Sequence, residues 1–474
     1  MQNSHQHIGT ISDKKRLKNK GIHTLCISTL MCSLALSSVN IALPELAYSL
    51  QTNFLDVQWV IIAFMFSLTC TLVIAGSLSD IYGRKKLFLI GILIFTLACS
   101  VAPLVQSLWA LVVMRLGQGI GSGILLTSSM ALAADIVSKN KLNSIIALLA
   151  SVSAVGTGLG PIMGGVIIEY AGWQPVFLAN IPLGIGLYIY ASKYLPSNVP
   201  KAKKHFSDFT GACLLLITLL TYTLAITLTS QGFNLLNCLL LIISFVTLQL
   251  FLAHQKRSYT AMINVALINT PSFLLCMFSS FIVSIFVMAS LVIGPFYLIY
   301  TLNLSAATAG LVMAVSPSVV ASMSFILSQS LVYLSLRARV LSGLSILLLG
   351  ALCMAHLKVE YGVVGYILCL TVTALGYALF LSANNTLAMQ HANSKNRGAA
   401  SGTLNLARNL GLLSGTSIMS RLFTVESQAV NFYTTQYQTI EASLHITYLV
   451  GAALLLIVII VQLKYLFYKK SHSL

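Results

Sequence analysis

The chain has 474 residues, of which 57% are hydrophobic and only 8% are charged, with a mean hydropathy of +0.90. So few charges cannot coat water-soluble domains, where about 25% is usual, so lipid is the solvent for most of this chain. The net charge of +17 comes from 27 lysines and arginines against ten acids. These cations cluster between apolar runs, which is a signature of membrane topology and requires no nucleic-acid partner. The first 21 residues are polar and basic, and apolar segments then recur to the C-terminus. Nothing in that pattern marks an exported or lipid-anchored soluble protein, and a multispanning integral membrane protein is expected.

A helix needs about 20 mainly apolar residues to cross ~30 Å of hydrocarbon. Cutting the sequence at charges and turn residues predicts fourteen spans, at 22–47, 55–79, 86–105, 107–134, 142–169, 173–194, 209–229, 233–253, 272–301, 306–330, 340–357, 361–388, 398–423 and 443–467. Only a short turn around Ser230, Gln231 and Gly232 separates the seventh from the eighth, and the termini share a side only if both cross. With that count, 23 of the 27 lysines and arginines fall on one side, Lys358 falls on the other, and Arg115, Arg408 and Arg421 lie within spans. Both termini are therefore expected in the cytoplasm, with the basic loops facing anionic headgroups.

The expected order is a basic N-terminus (1–21), a six-helix bundle (22–194), a linker (195–208) and two extra helices (209–253). A second linker (254–271), a second six-helix bundle (272–467) and a tail (468–474) complete it. The nine cysteines all lie in apolar stretches without a CxxC or a histidine at ligand spacing, and read as small hydrophobes. No metal or cofactor is expected. No Ser or Cys nucleophile stands beside a histidine and no carboxylates pair within a span, so an enzyme is not expected. A nucleotide-binding P-loop is also absent, which argues against ATP as the driving force.

Between spans 2 and 3 the chain reads Gly76-Ser77-Leu78-Ser79-Asp80-Ile81-Tyr82-Gly83-Arg84-Lys85-Lys86. Its glycines suit a tight turn, and Asp80 among Arg84, Lys85 and Lys86 offers ion pairs that break and re-form as helices slide. In span 4, Arg115 follows Ser107 by eight residues, about 12 Å into the membrane at 1.5 Å per residue. A guanidinium at that depth needs a cavity or a partner, and a functional role is weighed against simple satisfaction by neighbouring carbonyls. Span 5 carries Gly156, Gly158, Gly160, Pro161, Gly164 and Gly165, a run that strips side chains from one face and permits close helix contact.

These elements resemble the major facilitator superfamily. Gly76 to Lys85 is similar to its G-x-L-x-D-x-x-G-R-K loop, Arg115 to Gly119 to its R-x-x-Q-G element, and Gly156 to Gly165 to its antiporter motif. Trp173-Gln174-Pro175-Val176-Phe177-Leu178-Ala179-Asn180-Ile181-Pro182-Leu183-Gly184 resembles a signature of the fourteen-helix drug:proton antiporter branch, with Gln174 in place of its arginine. The C-terminal half agrees at Pro295 to Leu298, Gly310 to Pro317, Gly376 to Asn385 and Arg397 to Arg408. The resemblance implies an all-α integral membrane protein of the major facilitator fold, with two six-helix bundles plus two additional helices. It also implies multidrug-type efflux by proton antiport and alternating access.

One departure matters. Leu34-Ala35-Leu36-Ser37-Ser38-Val39-Asn40-Ile41-Ala42-Leu43-Pro44 resembles the branch's first-span motif, but Ala35 stands where the family has an aspartate. The remaining proton-site candidates are Glu45 and Glu169, both near the outer ends of their helices, where either also reads as a solvated acid. The expected coupling and gating residues are Asp80, Gly83, Arg84, Lys85, Arg115, Gly156, Gly160, Pro161, Gly164 and Gly165. The expected cavity residues are Ser37, Asn40, Gln118, Asn180, Tyr297, Asn384, Asn385 and Arg408.

A cavity with arginines and no acid suits neutral or anionic amphiphiles better than multivalent cations. The expected protein is a monomeric exporter of small amphiphilic molecules or drugs in the inner cell membrane, with a small-molecule substrate and protons as its partners. The alternatives are a dedicated exporter of a metabolite or siderophore-like carboxylate, and a non-transporting sensor on a transporter scaffold.

Overall fold

The computed structural model describes residues 2–196, 208–228, 234–258, 262–263, 265–330, 334–390, 397–427 and 437–471. Side chains are described for these except 2–17, 77, 80, 139–140, 143, 324–325, 327–330, 397–399, 425–427, 437–438 and 468–471. The described residues are almost wholly helical and contain no strand. In hydrocarbon a chain can satisfy its backbone groups only within itself, and helices do so segment by segment.

The main helices are α1 (Gln2–Ser49), α2 (Phe54–Val57 leading into Trp59–Tyr82), α3 (Arg84–Val101), α4 (Leu108–Ile136), α5 (Lys139–Ala171) and α6 (Gln174–Leu178 leading into Asn180–Tyr194). They continue as α7 (Phe209–Thr227), α8 (Leu235–Arg257), α9 (Pro271–Phe296) and α10 (Ala306–Met313 leading into Val315–Ser330). The last four are α11 (Leu336–Ala355), α12 (Gly362–Gln390), α13 (Arg397–Ser427) and α14 (Tyr437–Ser471). Helix α1 begins twenty residues before the span expected at 22–47, so the N-terminal segment continues the helix.

Thirteen described helices are long and apolar enough to cross a membrane. Helix α13 is not among them, because Asn405, Arg408, Asn409, Ser414, Thr416, Ser417, Ser420 and Arg421 dilute its apolar content. It is nonetheless packed against α9, α14 and α2.

Local chemistry sets the helix ends. Ser107 accepts from the Ala110 amide, Asp208 from Gly211 and Ser305 from Thr308, and Asn234 and Asn237 cap reciprocally. Between α2 and α3 the chain turns at Gly83, whose φ of 88° a side chain would strain. In α9, Pro295 cannot donate to the ladder, and the helix widens into a π turn over Tyr297–Thr301.

In the first half α1 packs on α5, and α4 packs on α2 and α3. In the second half α9 packs on α13, and α11 packs on α12 and α14. The halves meet along α1 with α9, α2 with α13, and α5 with α10. Helices α7 and α8 pair with each other, and α7 also touches both α2 and α13. The end carrying Gly83 to Lys86 is called the basic end below.

Candidate functional site

Three groups of side chains hold the residues singled out by sequence. The first surrounds Arg115, which is fully buried on α4. Its Nε donates to the Val60 carbonyl at 3.0 Å, its Nη1 donates to Gln118 Oε1 at 2.7 Å, and the guanidinium lies 4.3 Å from the centre of the Phe64 ring. Gln118 in turn donates to Cys99 Sγ on α3 at 3.3 Å. Arg115 Nη2 has no hydrogen-bond partner, and among the described residues no carboxylate pairs with this cation. Close packing of α2 on α4 is possible because Gly119 leaves room for Phe64 and Ser67, and Gly123 leaves room for Thr71.

The second group is the glycine run of α5. A Cβ at Gly156 would come within 2.8 Å of Ser33 Cβ, and one at Gly164 within 2.8 Å of both Ile41 Cγ2 and Ser38 O. Gly160 faces Ser37, whose hydroxyl donates to Ser33 O at 2.8 Å and to Gly156 O at 3.3 Å. These contacts lie within the first half. Gly165 instead abuts the Ala306 carbonyl of α10, and Gly310 of α10 abuts the carbonyl of Pro161, so two backbones interlock across the halves. Beside them Glu169 Oε2 accepts from the Ala307 amide at 2.9 Å, which caps the start of α10 from α5. Further bridges at this end run from Tyr300 Oη to Pro44 O at 3.1 Å and from the Phe54 ring to those of Phe296 and Phe423. Glu45 is only half-buried and accepts from Ser49 within its own helix.

The third group lies at the basic end. Arg84 Nη1 pairs with Asp135 Oδ1 at 2.6 Å and donates to Ala131 O at 2.9 Å. Lys85 Nζ donates to the carbonyls of Ser192 and Leu195 at 2.7 and 2.8 Å, a cation on the C-terminal end of α6. The side chain of Asp80, expected to pair here, lies outside the described residues.

The other expected cavity residues are divided among several helices. Asn40 is buried with Oδ1 unpartnered, while Asn180 donates only to Val176 one turn back. Tyr297 stacks on Tyr366 with centroids 5.6 Å apart and leaves its buried hydroxyl unpartnered. Asn384 donates to Cys276 O and Ser280 Oγ at 3.1 and 2.8 Å, Asn385 is half-buried, and Arg408 keeps a buried Nε without a partner. A small cavity between α9, α10 and α12 is lined by Ser290, Met313, Ser316, Thr373 and Tyr377 among others.

The sequence did not reveal Val60, Phe64 and Cys99 around Arg115, nor Asp135 opposite Arg84. It also missed a buried acid, Asp208, held at the junction of α7 and α8 by His254 Nε2 at 2.6 Å and Gln255 Nε2 at 2.5 Å. A buried aspartate with a histidine 46 positions later leaves no periodic signal.

A model of the Major Facilitator Superfamily matches residues 25–416. The chain is 30% identical to the riboflavin transporter RibZ of Clostridioides difficile (strain 630), over 84% of this chain and 87% of that protein. It is 27% identical to the multidrug resistance protein Stp of Mycobacterium tuberculosis (strain CDC 1551 / Oshkosh), over 80% of this chain and 71% of that one. In fold it resembles the crystal structure of a peptide transporter, POT, in complex with sulfate, with a TM-score of 0.70 at 13% identity over 95% and 98% of the two chains. It also resembles the human organic anion transporter MFSD10, with a TM-score of 0.62 at 14% identity over 94% and 99%.

Proposed function

We propose an exporter of small amphiphilic molecules on one premise: the chain belongs to the Major Facilitator Superfamily. It is a multi-pass membrane transporter of small molecules and not an enzyme. The finer reading is a monomer of the fourteen-helix antiporter branch in the cell membrane, with both termini in the cytoplasm. Its substrates leave by proton antiport, and the two halves rock about a central cavity.

The interlock of Gly165 and Gly310 with the facing backbones carries this reading. A seam built from backbone against backbone closes without side-chain rearrangement and opens as one rigid surface. That suits a gate at the end away from the basic loops. Glu169 is the proton carrier in this scheme. As a carboxylate it accepts from the Ala307 amide and holds α10 closed; protonation weakens that bond and releases the seam. At the basic end Arg84 and Lys85 tie α3 to α4 and α6 within the first half, so that this half moves as one body, and Gly83 turns their loop.

The test is proton movement in proteoliposomes under an imposed pH gradient. A lipophilic cation, a neutral amphiphile, riboflavin and a carboxylate are added in turn. Collapse of the gradient by at least one solute, lost in Arg115→Ala, supports antiport. Solute exchange with no proton movement removes the proton from the mechanism, and no movement of any solute removes export.

A further inference from the structure

Among the described residues, four of the eleven buried side-chain polar atoms that lack partners stand at a similar depth. Ser28 on α1 lies 3.0 Å from Ser129 on α4, which sets the register of these two helices. Moving twelve residues along α1 reaches Asn40, and moving fourteen residues back along α4 reaches Arg115. Those steps are about 18 and 21 Å, so the two residues stand within one turn of the same depth. Arg115 donates to Val60, two residues after Gln58. Tyr300 donates to Pro44, so Tyr297 and Asn40 each lie about one turn from that bond.

In this layer Arg115 Nη2, Asn40 Oδ1, Gln58 Oε1 and Tyr297 Oη are all buried and all unpartnered. Buried polar groups are ordinarily satisfied, and an exception asks what satisfies it at another stage of function. Here the exception includes a full positive charge in the membrane interior, where cations are otherwise paired.

The local acids do not answer it. Glu45 is engaged with Ser49, and Asp56 is held by Asn53 at the entrance to α2. Glu169 is committed to the Ala307 amide. On α1, Ala35 is packed in a buried cluster with Cys32, Phe95 and Cys99, the last of which accepts from Arg115's partner Gln118, and it brings no charge. The missing countercharge is therefore not supplied by any described side chain.

We propose that the substrate supplies it: the transported molecule carries an acidic oxygen group, a carboxylate or sulfonate, and Arg115 is its binding cation. Asn40, Gln58 and Tyr297 provide the neutral polar rim, and the apolar walls of α2 and α9 hold the body of the molecule. This rests on the transporter reading and adds the charge of the substrate to it. A planar guanidinium with one free N–H edge suits an oxyanion better than a neutral carbonyl, because charge-assisted hydrogen bonds are the stronger kind.

The test is equilibrium binding to the purified full-length protein in lipid nanodiscs, which needs no flux. Trp59 adjoins Val60 and its ring lies 5.9 Å from that of Trp109, so tryptophan fluorescence reports on this layer. The probes are 2-naphthoate, its neutral isostere 2-naphthamide and 2-naphthylmethylammonium. Naphthoate is expected to bind saturably and about tenfold or more tightly than naphthamide, a factor corresponding to one charge-assisted contact. Naphthylmethylammonium should bind weakest.

Arg115→Gln should erase the preference and Arg115→Lys should keep part of it. Since Arg115→Gln risks misfolding, Ala35→Asp is the second variant: it supplies an internal countercharge and should lower naphthoate binding to the level of naphthamide in a folded protein. Equal binding of naphthoate and naphthamide to the unaltered protein overturns the proposal. So does a preference that survives both Arg115→Gln and Ala35→Asp, and so does the absence of saturable naphthoate binding. A protein that binds naphthoate through Arg115 but moves no solute would instead refute export and leave this assignment standing.

Discussion

Gly165→Ala should force open the end of the molecule opposite the basic loops. A Cβ there would overlap the Ala306 carbonyl oxygen and stand 3.0 Å from Ala306 C and 3.2 Å from Ala307 Cα. All three are backbone atoms, which cannot rotate away as a side chain would, so α5 and α10 must separate. Overpacking of this kind costs about 1–3 kcal/mol. The cost falls only on the conformation in which the halves touch here, so the equilibrium should shift towards opening at this end by about 5- to 150-fold.

The assay is labelling of Thr301→Cys by a membrane-impermeant maleimide. Thr301 is only 3% exposed and its hydroxyl has no partner, so the substitution is mild and the thiol is covered while the end is sealed. Of the nine native cysteines only Cys238 is exposed, and subtracting the rate without Thr301→Cys removes its contribution. Gly158→Ala is the control: its Cβ would meet Pro317 at an ordinary 3.8 Å, so labelling should not change. Equal labelling with and without Gly165→Ala, or an equal rise in Gly158→Ala, would refute the reasoning.

Glu169→Gln is neutral, as the protonated acid is, and leaves only an uncharged oxygen to accept from Ala307, so it should loosen the seal in the same labelling assay and abolish proton movement in proteoliposomes. Glu169→Ala should loosen the seal as well. Asp208→Ala removes a helix cap and the partner of both His254 and Gln255 at a side chain 1% exposed, and should lower stability by about 1–3 kcal/mol in thermal unfolding. Asp135→Asn breaks a half-exposed pair with Arg84 and should cost less than about 1 kcal/mol by the same measurement.

Hydropathy made the helices legible because lipid leaves a chain so few alternatives. Its weak point was also chemical: α13 is helical and packed, yet its asparagines, serines and arginines dilute the signal that identifies the other spans. The depth of Arg115 could be computed from the sequence because a helix rises uniformly. Its partners could not, since Val60 lies 55 positions away and reaches Arg115 only because Gly119 and Gly123 let α2 approach α4. The same limit hid Asp135, which meets Arg84 across 51 positions, while local charge pattern drew attention to Asp80. The glycine run announced close packing without saying against what. Four of its members accommodate α1 or α10, and only the folded chain separates the contacts within a half from those that join the halves.

The two extra helices are attached unequally to the two halves, and that constrains how any rocking motion proceeds. Tyr222 Oη lies 2.6 Å from Ser414 Oγ, and Thr227 Oγ1 lies 3.1 Å from Ser417 Oγ, so α7 is hydrogen-bonded to α13 in the second half. Its contact with the first half is apolar, through Leu215 and Leu219 packed with Cys70 and Val73 of α2. In hydrocarbon a broken hydrogen bond finds no water to replace it, whereas one apolar surface slides over another at small cost. The pair should therefore travel with the second half and shear across α2. Leu406 and Leu410 of α13 join the same apolar cluster, so what differs between the two sides is the polar contact, and confining it to one side lets α7 and α8 cover the seam without locking it.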